Sequence, residues 1–426
     1  MNAWRLLVVL ALYAALGVSF AMQVPAWQNP DEPAHYNYTR QLAAGIVPVI
    51  EPSDWEPTFV PIPPRERNVP VARLTYEDHQ PPLFYALSLP VFLLSNGDLG
   101  ALRLFTLFIG ALSLVCAHQV VHLIFPTRPW IAAFAVAIVG LLPQHLFVLS
   151  GYNNDALAEL WIALTAWQAV RLLRAESSPA PKALVGLGVV VGLAFWTKAT
   201  AYLALPLALL GAWFAEASSW RQRVWRVLQV GLIACLIGLP WWVRNVMVYG
   251  GLDFLGLQAH NAAVLGQPTT AAWIAQHGFA EVLWRGLRTT FQSFWGQFGW
   301  MSIPLSERWY LLLLALSSLS AAAFAMWWAQ EGVRLEAAQR RALNALAGLT
   351  LFTVLAFAWY NLQFVQHQGR YLFPALLPIG LAVALGWSHV LRRWRALAQR
   401  AWLGATLGLG AFDAYLLWRV IVPEMT

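Results

Sequence analysis

Apolar segments close to 20 residues long recur along nearly the whole chain, beginning with "WRLLVVLALYAALGVSFAMQ" at Trp4. A helix needs about 20 such residues to cross the hydrocarbon core of a bilayer. There the backbone can satisfy its polar groups only within the helix or in a closed barrel. The alternative, a large buried helical core, needs more polar helix faces than this chain offers. Only 11% of its 426 residues are charged, against about 25% in soluble domains. The expectation is an all-α polytopic membrane protein whose residues 1–426 form a single membrane domain, with no soluble domain and no internal repeat. Cys116 and Cys235 lie inside apolar runs, where a thiol acts as a small hydrophobe, so neither a disulfide nor a metal site is read from them.

Eleven spans are expected near residues 4–24, 99–124, 130–150, 155–173, 182–197, 200–215, 227–248, 309–329, 342–360, 371–390 and 401–420. The first is read as a retained helix, because no small-residue cleavage site follows it. One set of loops, from Arg5 and Arg128 through Arg221–Arg226 to Arg392–Arg400, holds 15 of the 27 basic residues and only four of the 20 acids. Cytoplasmic loops carry such an excess, so the N-terminus is expected inside and the C-terminus outside. The net charge of +7 is thus a matter of topology, with no nucleic-acid partner implied. Reading 182–215 as two short passes keeps "WRQRVWR" (220–226) inside and puts Lys198 near the outer face. Two large outer segments remain: 25–98, rich in proline and expected to hold interfacial helices and ordered coil, and 249–308, rich in Trp, Gly and Gln.

Charged groups beside a bilayer are costly and therefore candidates for function. "NPDEPAHYNY" sets Asp31 and Glu32 between two prolines, followed by His35, Tyr36 and Tyr38. Asp31 could cap a helix starting near Pro33, which accounts for one acid but not for two. As chemistry, such a carboxylate can be a general base or a ligand for a hard divalent cation. "YEDHQPPLFY" repeats the grammar with Glu77, Asp78 and His79. "SGYNNDALAEL" brings Asn153, Asn154 and Asp155 to another outer turn, where capping is again an alternative. Lys198, Arg244 and Arg370 are the outer cations. They either snorkel to headgroups or clamp a lipid-linked phosphate, for which Arg offers a fork and Lys a point charge.

These pieces, with "LRLFTLFIGALSLVCAHQVV", "GLAFWTKATAYLALP", "PWWVRNVMVYGGLDF", "SFWGQFGWMSIPL" and "HQGRYLFPALLPIGLAVALG" in order, resemble the C-type (GT-C) superfamily of polytopic membrane glycosyltransferases. The nearest branch is the bacterial one related to protein O-mannosyltransferases and aminoarabinose transferases. The resemblance covers most of the chain and implies a GT-C-like fold in the bacterial plasma membrane, working on its extracytoplasmic side. It implies a polyprenyl-phosphate-linked sugar as donor and a glycan, lipid or protein as acceptor, and it allows membrane-complex partners. It makes Asp31 the catalytic base or metal-proximal acid, supported by Glu32. Asp78, His79 and Asp155 become further polar or metal-contacting groups. Asp31, Asp78 and Asp155 are the residues that would meet a divalent cation. Lys198, Arg370 and Arg244 fall to the carrier phosphate, and Tyr36 and Trp295 to the sugar. The expected reaction is one inverting displacement. The rival readings are a transporter or flippase, and a non-catalytic subunit of a membrane complex built on the same fold.

Overall fold

A computed structural model of the chain describes residues 3–55 and 71–425; residues 56–70 of the proline-rich outer segment lie outside the described residues. The architecture is helical nearly throughout. In chain order α1 (Ala3–Gln23) is followed by α2 (Glu32–Ala43), α3 (Leu83–Leu94), α4 (Leu99–Ile124), α5 (Pro129–Gly140), α6 (Pro143–Leu149) and α7 (Asp155–Arg174). Next come α8 (Pro181–Phe195), α9 (Ala204–Phe214), α10 (Trp220–Tyr249), α11 (Leu257–Ala263), α12 (Thr270–His277) and α13 (Phe279–Trp295). A single irregular turn, α14 (Phe298–Met301), precedes α15 (Glu307–Glu331), α16 (Ala337–Gln363), α17 (Leu376–Val390), α18 (Arg395–Leu416) and α19 (Val422–Met425).

All eleven expected segments fall on helix, but not all are full-length spans. Among the described residues, eight helices are long and apolar enough to cross a membrane. The segment expected at 130–150 is broken at Leu141–Leu142 into α5 and α6, bent by 68°. The residue before a proline is driven out of the helical region, and Leu142, ahead of Pro143, is extended at φ −71°, ψ 121°. Of the two short passes read from 182–215, α8 has 15 residues and α9 has 11. At 1.5 Å per residue, 15 residues reach about 22 Å, less than the roughly 30 Å hydrocarbon core. The helices break at Trp196–Lys198, where the sequence placed the turn.

Local signals set several of the helix starts. The side chains of Asp98, Ser219 and Thr269 accept hydrogen bonds from backbone N–H groups in the first turns of α4, α10 and α12. Glu336 and Gln339 close a capping box on α16. The core joins α4, α5, α7, α8, α9 and α17, where Ala and Gly let backbones approach. Gly211, for instance, lies against Ala169. Large apolar side chains of α10, α15 and α16, among them Leu232, Leu311 and Leu355, point outward, as lipid-facing helices do.

The two ends of the bundle differ in chemistry. At one end Arg174 meets Glu336 at 2.9 Å and Arg341 meets Glu216 at 2.8 Å, joining loops of the basic set. At the other end the loop after α1 meets the starts of α2 and α7, the α8–α9 break and the chain entering α17.

Candidate functional site

Two ion pairs carry this second end. Asp31 Oδ2 accepts from Arg370 Nη2 at 2.7 Å, and Asp155 Oδ1 accepts from Lys198 Nζ at 2.6 Å. Asp155 and Arg370 also line one small cavity, with Glu159, Thr200 and Tyr371. The four charges thus come from four distant stretches: the turn before α2, the first turn of α7, the α8–α9 break and the 3-10 turn Gly369–Ala375.

Asp31 occupies the N-cap position of α2, but its side chain makes no capping bond. Its backbone is left-handed, φ 64°, a conformation that costs a non-glycine residue about 1–2 kcal/mol. The carboxylate turns away from the helix, to Arg370 and to the Tyr76 hydroxyl, which donates to Oδ1 at 3.0 Å. Burial alone pushes its pKa up. The charge of Arg370, then His35 and Lys198, overcomes this and holds Asp31 down to about 2. It is ionised throughout the ordinary pH range.

Glu32 is placed quite differently. It is fully buried and takes a two-pronged bond from Arg103, Nε to Oε1 at 2.8 Å and Nη2 to Oε2 at 2.7 Å. The backbone N–H groups of Trp27 and Tyr152 complete its shell at 2.9 and 3.1 Å. Arg103 in turn donates to the carbonyls of Ala21, Val24 and Pro25. The expectation of a supporting catalytic acid is corrected here. Glu32 ties the end of α1 to α4 and α7, and nothing in its shell is free for a substrate.

The second acidic turn also distributes its groups otherwise than expected. Tyr76 and Glu77, not Asp78 and His79, face Asp31. Glu77 is pushed up to about 7, first by burial and then by the charge of Asp31. Asp78 is buried against Gln41 at 2.7 Å with Oδ1 unpartnered, and burial raises it to about 8. His79 stacks on His260, ring centroids 4.4 Å apart, and burial holds its pKa well below the usual histidine value. The divalent-cation expectation for Asp31, Asp78 and Asp155 meets the same geometry. Two of these carboxylates already hold a cation and the third faces an amide. Among the described residues no group of three His, Cys, Asp or Glu is gathered for a metal ion. These residues do not fit a resident divalent cation.

Three further candidate residues make contacts outside the two ion pairs. Arg244 straps α10 to the outer segment: Nη2 donates to the Pro48 carbonyl at 2.5 Å, Nη1 reaches Asn245 and Tyr249, and the guanidinium lies 4.8 Å over the Trp241 ring. It is bound within the loop, apart from the two ion pairs. Tyr36 packs against Trp27 and Phe92 and donates to the Gly97 carbonyl at 2.9 Å. That bond fastens α2 to the α3–α4 loop. Trp295 lines an apolar groove rather than a polar pocket.

That groove has a volume of about 1580 Å³ and is walled by α13, α15, α16, α17 and α18. Its lining includes His367 and Leu372, which bracket Arg370 in sequence, so it runs up beside the charged cluster. Arg370 is set there by Gly369, whose N–H donates to Ser293 Oγ at 2.8 Å. A Cβ on Gly369 would lie 2.2 Å from the Phe294 backbone nitrogen, so only glycine lets the chain pass this close to α13. A buried pair missed by the sequence reading lies behind the cavity: His145 Nε2 meets Glu159 at 2.6 Å and His145 Nδ1 meets the Val139 carbonyl at 2.7 Å. Both partners accept, so a carboxylate at Glu159 requires a doubly protonated imidazole. Glu159 follows Asp155 by four residues, one helical turn, which is the signal that could have found it.

No curated protein sequence matches the chain. The dolichyl-phosphate-mannose-protein mannosyltransferase family matches residues 78–243, fewer than half of the chain. Among solved structures, ArnT from Cupriavidus metallidurans bound to undecaprenyl phosphate superposes with a TM-score of 0.51 at 14% identity, covering 100% of this chain and 74% of that one. The Archaeoglobus fulgidus oligosaccharyltransferase in complex with Zn and sulfate gives 0.55 at 14% identity, covering 98% of this chain and 53% of that one. This chain therefore spans about half the length of the archaeal enzyme. At such identity the likeness is one of fold. The resemblance to polytopic membrane glycosyltransferases thus holds in sequence pieces and in architecture alike.

Proposed function

We propose that this protein transfers a sugar from a polyprenyl-phosphate donor to an acceptor hydroxyl, at the outer face of a bacterial plasma membrane. The observation that carries the reading is the junction of two unlike surfaces. A cluster of two carboxylates and two cations adjoins an apolar groove of about 1580 Å³, room for a lipid chain. The undecaprenyl phosphate held by the Cupriavidus ArnT supports the donor class.

The cations keep donors in reserve. Lys198 spends one of its three N–H groups on Asp155. Arg370 Nη1 makes no hydrogen bond among the described residues, while Nε is held by Gln368 at 2.8 Å. The carrier phosphate binds these free donors with its prenyl tail in the groove. In the reaction Asp31 accepts the proton of the acceptor hydroxyl as that oxygen bonds to the anomeric carbon. The bond from the anomeric carbon to the phosphate oxygen breaks, and the electron pair leaves on polyprenyl phosphate. Lys198 and Arg370 offset the charge that develops there. One displacement inverts the anomeric centre. The concentration of charge at one end of the bundle favours this over transport, which places its polar groups near the bilayer midplane.

The test is transfer of label from a polyprenyl-phosphate sugar by the purified protein. Asp31→Asn should cut turnover at least about 10³-fold in a protein that still folds, with an unfolding temperature lowered by the loss of the Arg370 partner. An active Asp31→Asn protein, or facilitated movement of the donor across vesicles without transfer, rejects the reading.

A further inference from the structure

One histidine stands among the four charges and has no role in the scheme above. His35, on the first turn of α2, is 1% exposed, and its ring is near enough to Lys198, Asp31, Asp155 and Arg370 to feel the charge of each. Its Nδ1 lies 2.8 Å from the Tyr85 hydroxyl, which also receives the Asn154 Nδ2 amide at 3.3 Å. Tyr85 and Asn154 are themselves fully buried. His35 Nε2 makes no hydrogen bond among the described residues.

Hydrogen-bond bookkeeping fixes the tautomer. The amide nitrogen of Asn154 can only donate, so it takes a lone pair of the Tyr85 oxygen. The Tyr85 oxygen has a second lone pair, but its own buried hydrogen has no acceptor among the described residues other than His35 Nδ1, so that nitrogen is the one left without a proton. A neutral imidazole has one proton, and it therefore sits on Nε2. Burial, and after it the positive charge of Lys198, holds the ring neutral by lowering its pKa to about 3.

We propose that His35 is a substrate-binding residue whose Nε2–H, fixed in that tautomer by the Tyr85–Asn154 relay, donates a hydrogen bond to a phosphate oxygen of the lipid carrier. The assignment rests on the glycosyl-transfer reading above and adds a third phosphate donor to Lys198 and Arg370. A neutral donor suits the place. Each cation already has a carboxylate partner, and a third buried positive charge there would carry its own desolvation cost. Tyr85 and Asn154 act as positioning residues, since they reach the ligand only through the imidazole.

The experiment measures binding of undecaprenyl phosphate alone, without sugar, to the full-length protein in detergent. Gln can place an amide nitrogen where Nε2 stands, and Asn can do so only at Nδ1. His35→Asn should therefore bind about 10- to 100-fold more weakly, as expected for a lost hydrogen bond to a charged group, whereas His35→Gln should stay within about threefold of wild type. Tyr85→Phe frees the tautomer and should weaken binding with no change in unfolding temperature beyond that of a lost hydrogen bond. If His35→Asn does not fold, Tyr85→Phe carries the test alone. Equal binding by wild type, His35→Asn and Tyr85→Phe overturns the assignment, as does a loss seen only with the sugar-bearing donor. Failure of the wild-type protein itself to bind undecaprenyl phosphate rejects the glycosyl-transfer reading instead.

Discussion

Replacing Glu32 with Gln leaves the buried Arg103 guanidinium without its carboxylate, whereas replacing Asp31 with Asn does the same to Arg370, which is less deeply buried and lies at the edge of a cavity. The first change should cost about 3–5 kcal/mol, the usual result of orphaning a buried charge, and appear as a large fall in unfolding temperature in detergent. The second should cost less stability and remove turnover. Asp78 adds a pH effect. Burial raises its folded-state pKa to about 8, above the unfolded value of about 4. Folding therefore favours the protonated carboxyl. Its stabilisation is whole below about pH 4 and is lost as pH rises through about 8. Glu77, raised to about 7 by burial and Asp31, acts with the same sign. The unfolding temperature should fall between about pH 4 and 8, and Asp78→Asn should flatten part of that slope. These assignments were only half legible beforehand. Adjacent acids in "DEPAH" carry no mark of which side chain faces Arg370 and which faces Arg103. The left-handed backbone at Asp31, which turns the pair apart, depends on contacts 45 and 339 residues away.

At the scale of elements, the chain entering α17 does the most to place the site. The 3-10 turn Gly369–Ala375 presses on α13 and puts Arg370 beside Asp31. Gly369→Ala should displace that turn, because its Cβ would meet Phe294 backbone, which cannot swing aside. The expected outcome is at least a 10²-fold loss of transfer, the penalty of misplacing a positioning group by about 1 Å, together with a lower unfolding temperature. Wild-type turnover in Gly369→Ala would show that Arg370 does not need this approach. The α8–α9 break was readable, since the positive-inside rule required a turn near Lys198. The division of 130–150 into α5 and α6 could have been read from Pro143. The 68° bend there lets α6 carry Gln144 and His145, and His145 then meets Glu159.

For the whole molecule, the groove and the charged cluster belong to one binding surface if the donor is lipid-linked. Ala405 on α18 lines the groove, far in sequence from every charged group of the cluster. Ala405→Trp should raise KM for a long-chain polyprenyl donor by about tenfold or more, leaving a short-chain analogue nearly unaffected. Equal effects on both donors would mean that the tail lies elsewhere.

Composition and the period of the apolar runs determined the class of fold, the position of the long apolar helices and the end of the bundle where charge collects. Those are local properties: a run of 20 apolar residues has few alternatives in a bilayer, and basic residues sort by loop. What only the tertiary structure decided is the division of labour among the polar side chains. Arg103 for Glu32, Tyr76 and Arg370 for Asp31, Lys198 for Asp155 and Tyr85 for His35 are pairings across 43 to 339 residues. They are set by helix packing in low dielectric, where an unpaired charge is too costly to leave.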